Sequence, residues 1–198
     1  STYVFAFAAG NFEEVKATEI SHPILTPDGK NQKAGERFTT NIYVRKSQVE
    51  KFKQYSAEVF RLNRECVKYL EEYFDYKFPF PKYDLVLIPE FPFGGMEHAG
   101  ATFVRENSII FPSEPTKNDY ISRATLIFHE TAHQWFGDKV TCGSWEDIWL
   151  NEGFASYGEA IWQEYVGGKT AYNALIDAQM VRAKSAVGSI FVRNVANS

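Results

Sequence analysis

Residues 129–133 read "HETAH", inside the longer run "ATLIFHETAHQWFGDKVT" at 124–141. The surrounding pattern predicts a helix that starts near Asn118 or Asp119 and runs to Gly137. On a helix of 3.6 residues per turn, side chains four apart lie about 40° apart around the axis. His129 and His133 therefore point the same way, one turn apart, while Glu130 lies about 100° round from His129. Two imidazoles so placed can grip one ion. A carboxylate on the flank of that face can reach a water beside the ion without being a ligand.

Two histidines with a glutamate between them match the zinc-peptidase arrangement, in which the glutamate is the general base. A catalytic zinc site needs a third protein ligand and one open position. After His133, 18 residues intervene before Glu152, in "WLNEGFASYGE" at 149–159. That glutamate stands at the start of another predicted helix, and the intervening loop is long enough to let this helix fold back on the first. The expectation is one Zn2+ held by His129, His133 and Glu152, with Glu130 as catalytic base. H-E-x-x-H is short and arises by chance in unrelated helices, where two histidines can equally be satisfied core residues. The apolar helix around the motif, the downstream glutamate and the presence of two of only four histidines here favour the metal. Glu159, seven residues after Glu152 on the same helix face, is the candidate to orient a ligand imidazole. Asp138 and Glu146 are weaker candidates, and Tyr157 and Trp149 read as core.

A second segment raises a separate question. "FPFGGMEHAGATF" (91–103) sets paired glycines before a Glu-His pair. The pair suits a metal, whereas the glycines suit a backbone that something approaches closely. The residues alone leave both readings open.

The rest of the chain sets the frame. Its 198 residues are 44% hydrophobic, 16% aromatic and 23% charged, a composition that can bury a sizeable core. A net charge of −4 gives no electrostatic footprint for nucleic acid or an anionic membrane. No apolar run approaches the roughly 20 residues of a transmembrane helix. The start, "STYVFAFAAGNF", lacks a basic leader region and cleavage site. It reads as a strand entered abruptly, which suggests a piece of a longer chain. Two cysteines make no disulfide framework, and Cys66 falls on an apolar helix face. The compartment stays open.

Strands are expected in "TYVFAFAAG", "EEVKATEIS" and "TTNIYVR", with a turn at "PDGK". A helix follows. Ser47 and Glu50 form a capping-box pattern, and Phe52, Val59, Leu62, Cys66, Val67 and Leu70 recur at helical spacing. It should end near Phe74, before the prolines of "KFPFPK". "YDLVLIP", "ATFVRE" and "SIIFP" read as further strands, the last two as a hairpin around Glu106 and Asn107. The helix from Asn151 should stop at Gly167 and Gly168, and a last one should start near Thr170. Strands first and helices later argue α+β.

"HETAHQWFGDKVT" followed by "WLNEGFASYGE" resembles the gluzincin aminopeptidases of the aminopeptidase N and leukotriene-A hydrolase type. Their pattern is H-E-x-x-H, 18 residues, then Glu in a W-L-N-E-G-F-A setting, and all of it is matched. Their upstream G-x-M-E-N exopeptidase motif corresponds to Gly94, Gly95, Met96, Glu97 and His98, so the resemblance covers residues 1 to about 180. It implies a thermolysin-like α+β catalytic domain occupying residues 1–198 as one unit. The family's N-terminal β-domain and C-terminal helical domain lie outside it. It also implies peptide substrates with a free N-terminus, whose α-ammonium pairs with the Glu97 carboxylate while Gly94 and Gly95 let the backbone come close. His98 then neighbours the recognition site rather than binding the metal. It departs from the family's Asn, which leaves substrate preference open. The family's oxyanion-stabilising tyrosine lies further downstream; Tyr157, Tyr165 and Tyr172 stand too near Glu152 for that role. The competing readings are an endopeptidase, a second hydrolase activity such as epoxide opening, and a non-catalytic protease-fold scaffold.

Overall fold

A computed structural model describes residues 5–17 and 40–186. Five strands form one sheet: β1 (Phe12–Lys16), β2 (Asn41–Arg45), β3 (Asp84–Ile88), β4 (Gly95–Met96) and β5 (Ala101–Arg105), in the order β1-β2-β3-β5-β4. Among the described residues, four α-helices accompany it: α1 (Val49–Phe74), the single turn α2 (Glu106–Ile109), α3 (Lys117–His133) and α4 (Ile148–Ser185). β1–β2 and β4–β5 pair antiparallel, β2–β3 and β3–β5 parallel. The fold is thus mixed α and β, with the sheet early in the chain and the long helices α3 and α4 after it. Because α1 connects the parallel neighbours β2 and β3, part of the sheet also has the crossover connection that parallel pairing requires. Among the described residues, no helix is long and apolar enough to cross a membrane.

β3 has its first four residues buried, Asp84 and the apolar Leu85, Val86 and Leu87, as a central strand covered on both faces requires. α1 turns its expected stripe inward: Phe52, Val59, Leu62, Cys66, Val67 and Leu70 are all buried. It ends at Phe74, where Asp75 takes the left-handed conformation (φ 49°) and its N–H reaches the Glu71 carbonyl. α4 continues past Gly167 and breaks its helical geometry at Gly168 (φ 72°), so two helical segments meet where the glycine pair predicts a stop.

Several local expectations are corrected. The capping box at Ser47 does not form: residues 46–48 make a 3-10 turn, Gln48 precedes α1 without a side-chain cap, and Glu50 pairs with Lys53 at 2.6 Å. The reciprocal box belongs to α3 instead. There Thr116 accepts from the Asp119 N–H and Asp119 accepts from the Thr116 N–H at 2.7 Å, so α3 starts before Asn118 and ends at His133. "SIIFP" is no strand. Glu106 is buried and takes a fork of bonds from Arg45 at 2.9 and 2.6 Å, and the chain coils into α2 around it. β5 therefore finds its antiparallel partner upstream, in β4. Residues 5–10 of "TYVFAFAAG" lie outside any strand, the first strand among the described residues being Phe12–Lys16. The remainder of that run, the end of "EEVKATEIS" and the "PDGK" turn fall outside the described residues.

α3 and α4 pack closely because small residues meet between them. Phe128 and Trp162 stack with ring centres 5.0 Å apart. A Cβ added at Gly158 would stand 3.0 Å from Phe128 Cε1 and 3.4 Å from Ala132 Cβ. The buried stripe of α4 runs through Asn151, Ala155, Gly158 and Trp162. Trp149 lies two residues from Asn151, about 200° round the axis, and Tyr157 one residue from Gly158, about 100° round and on its outer side. They are exposed (39% and 46%), so they are not core. Gly158→Leu should force the two helices apart and cost about 1–3 kcal/mol, read as a lower urea midpoint at unchanged slope.

Candidate metal centre

The end of α3 and the start of α4 supply the site. His129 and His133 lie on one face of α3, and their Nε2 atoms stand 3.0 Å apart. Glu152, in the first turns of α4, brings Oε2 to 3.5 Å from His129 Nε2 and 3.6 Å from His133 Nε2. These three side chains are the one group of metal-competent residues found among those described. His98 is outside it: its ring packs edge-on against Phe103 at 4.7 Å.

The far side of each imidazole decides which atom faces the centre. His133 Nδ1 is 3.0 Å from the Phe136 carbonyl oxygen, which can only accept, so Nδ1 carries the proton. The turn after α3 makes this contact possible. Gly137 adopts φ 137°, and a Cβ there would meet both His133 Nδ1 and the His133 carbonyl at 3.3 Å. His129 Nδ1 is 2.8 Å from Glu159 Oε1, the partner its helical spacing from Glu152 suggests. With both Nδ1 atoms donating, two Nε2 lone pairs and a carboxylate oxygen converge with no donor among them. One proton on His129 can bridge the nitrogens, but a divalent cation satisfies all three acceptors at once. Two imidazoles and a carboxylate are also the donor set that catalytic zinc takes.

The electrostatics follow from burial and this convergence. Burial works to lower the His129 pKa, but bonds to Glu152 and Glu159 raise it to about 10. His133 is likewise raised, Glu152 overcoming burial. Its bonds to the two histidines hold the Glu152 carboxyl far below the usual range. Glu130 is 4% exposed. Burial pushes it to about 7, against the lowering effect of His129 and His133.

The segment 94–98 runs alongside. A Cβ at Gly95 would overlap Glu130, with Cγ at 2.6 Å and the carboxylate nearer still, so this glycine makes room for the Glu130 side chain. Gly94 is exposed, and a Cβ there would touch Leu126 at 3.2 Å. Met96 is half-buried on β4. Glu97 is buried, its Oε1 3.8 Å from His133 Nδ1. Asp138 presents two buried carboxylate oxygens with no hydrogen-bond partner. Burial, with the charges of Glu97 and Glu130, raises it to about 8. Glu146 is exposed in a 3-10 turn, its N–H bonded to Ser144.

The motif pattern alone does not reveal two further residues. Thr131, inside "HETAH", bonds the Tyr83 hydroxyl at 3.1 Å, which in turn meets Thr102 of β5 at 3.1 Å, tying α3 to the sheet. Gln134 is fully buried, and its side-chain oxygen accepts the Gly100 N–H at 2.8 Å. A glutamine directly after the second histidine signals a polar group that needs partners if buried, but the sequence does not say which.

Comparison with known proteins gives this geometry a context. The profile of the Peptidase family M1 domain matches residues 58–193. The chain is 39% identical over 168 residues to aminopeptidase N of Streptomyces lividans, an alignment covering 85% of this chain and 18% of that protein. It is 37% identical over 160 residues to glutamyl aminopeptidase of Homo sapiens, covering 80% and 15%. It is 32% identical over 193 residues to puromycin-sensitive aminopeptidase of Caenorhabditis elegans, covering 90% and 18%. The chain thus spans less than a fifth of the length of these relatives.

A metal held by this group would have to displace the proton that His129 holds. The His129 pKa rises from 6.5 to about 10 on folding. Its charged form therefore stabilises the metal-free fold fully below pH 6.5, and this stabilisation is lost as pH climbs through 10. Zinc affinity should accordingly increase between pH 6 and 8, by up to about tenfold per pH unit for each proton displaced. Calorimetry in buffers of different ionisation enthalpy should register the released protons.

Proposed function

The chain belongs to peptidase family M1, and we propose that it forms the thermolysin-like catalytic unit of a zinc aminopeptidase, folded as one domain. The observation that carries this reading is the convergence of His129 Nε2, His133 Nε2 and Glu152 Oε2 within 3.0–3.6 Å of one another. Two carboxylates flank it, Glu130 on the same helix and Glu97 on the segment after β4. The relatives are named as aminopeptidases, in keeping with peptides as substrates.

His129, His133 and Glu152 would hold one zinc ion, which when bound supplies a Lewis acid that activates water and polarises a carbonyl. Glu159 fixes the His129 ring through Nδ1, and the Phe136 carbonyl fixes His133, so both rings keep their Nε2 lone pairs on the centre. Glu130 takes the proton of the attacking water and passes it to the departing amine. A carboxylate with a pKa near 7 suits both halves of that task, because neither proton transfer is then steeply uphill. Gly95 lets this carboxylate sit against the backbone of β4.

Glu97 pairs with the α-ammonium of the substrate. A free N-terminus brings a positive charge to this buried carboxylate, whereas an internal amide brings none, so the two are bound unequally. The enzyme therefore counts from the amino end. His98, packed on Phe103 in place of the family's Asn, keeps a ring beside this subsite and bears on which first residue is preferred.

In the intact protein, Glu130→Gln should retain zinc and lose turnover by about 10^2–10^4-fold, measured with an aminoacyl arylamide alongside metal analysis. N-acetylation of that substrate should abolish hydrolysis. Persistent cleavage of the acetylated form would point to an endopeptidase, and a well-folded protein that takes up no zinc would point to a scaffold.

A further inference from the structure

We propose that Gln134 is a positioning residue that fixes the distance from the amine-recognising carboxylate of Glu97 to the metal centre, by clamping the backbone at Glu97, His98 and Gly100 to the end of the helix that carries the histidine ligands. This rests on the reading of Glu97 given above.

Gln134 directly follows His133, so its Cα moves with that ligand. Its side chain has no exposure and points into the loop between β4 and β5. The orientation of the amide is set by its partners. Gly100 offers an N–H at 2.8 Å, which requires the oxygen there. The nitrogen then faces two acceptors, the carbonyl oxygens of Glu97 at 3.4 Å and His98 at 3.5 Å. One side chain thus serves residues 97, 98 and 100, and Glu97 is held from the residue itself and from three positions on.

The loop is shaped to receive this clamp. The Ala101 N–H closes on the His98 carbonyl at 2.8 Å, and the His98 N–H on the Met96 carbonyl at 3.0 Å. Gly100 takes φ +69°, and a Cβ there would meet the Lys82 carbonyl at 2.9 Å. The Gly100 carbonyl accepts from the Asp84 N–H at 3.0 Å, tying the loop to β3. Sheet and zinc helix therefore meet at Gly100 through Gln134. A displaced Glu97 would pair less closely with the α-ammonium of a substrate seated at the reacting centre and so weaken binding, and a fixed spacing between the two therefore matters for every substrate that is counted from its first residue.

Gln134→Met keeps the volume and removes every hydrogen bond. In the intact, zinc-loaded protein it should raise KM for an aminoacyl arylamide about tenfold with a much smaller change in kcat, and weaken discrimination against the N-acetylated form. Zinc content should stay at parent level, and the Gly100 amide should lose protection from hydrogen exchange. Parent KM and selectivity would overturn the inference, as would an unchanged Gly100 amide. Should Gln134→Met not fold, Gln134→Glu retains the acceptor for Gly100 and loses the donor; it should give a KM rise of the same kind, and a parent-like KM would overturn the inference. Glu97→Gln separates the two levels. If it leaves discrimination intact, the reading of Glu97 fails. If it collapses discrimination while Gln134→Met does not, the clamp alone fails.

Discussion

Three electron-pair acceptors pressed within 3.0–3.6 Å of one another cannot coexist without a proton or a cation between them, and the rest of the site is arranged around that demand. Two of them come from α3 and one from α4, so the constraint passes to the packing of those helices. Gly158 against Phe128 and Ala132 lets α4 approach, and the same approach brings Glu159 to the outer nitrogen of His129. The helix interface and the donor set are therefore one structural problem: a side chain at Gly158 would disturb both.

The positive turn at Gly137 and the passage of β4 beside α3 serve the other two requirements. At Gly137 the backbone turns sharply enough for the Phe136 carbonyl to receive the His133 proton. At Gly95 the strand lacks the side chain that would occupy the place of Glu130. Buried acids accumulate as a result. Glu130 and Asp138 are raised to about 7 and about 8, whereas Glu152, facing two imidazoles, is held low. Chemically similar carboxyls thus divide between proton-holding and charge-holding according to what each one faces.

Much of this was legible in the sequence where it depends on helical periodicity. The face shared by His129 and His133, the inward stripe of α1, and the common face of Glu152 and Glu159 all follow from 3.6 residues per turn. The break at Gly168 was legible from the glycine pair instead. Reading failed where partners are distant in sequence. "SIIFP" has strand composition but coils because Glu106 meets Arg45. Ser47 and Glu50 have the spacing of a cap, yet the chain there is already wound into a 3-10 turn. Trp149 and Tyr157 have core composition but fall on the wrong side of α4.

The sequence by itself determined which residues share a helix face and which family motifs the chain carries, because both depend on spacing along the chain. Only the tertiary structure decided that Glu152 reaches the two histidines, that Gly95 makes room for Glu130 and that Gln134 grips the loop at Glu97. Those contacts join residues 19 to 37 positions apart. The local pattern does not encode such separations, and they are set only when the sheet, α3 and α4 bury their faces against one another.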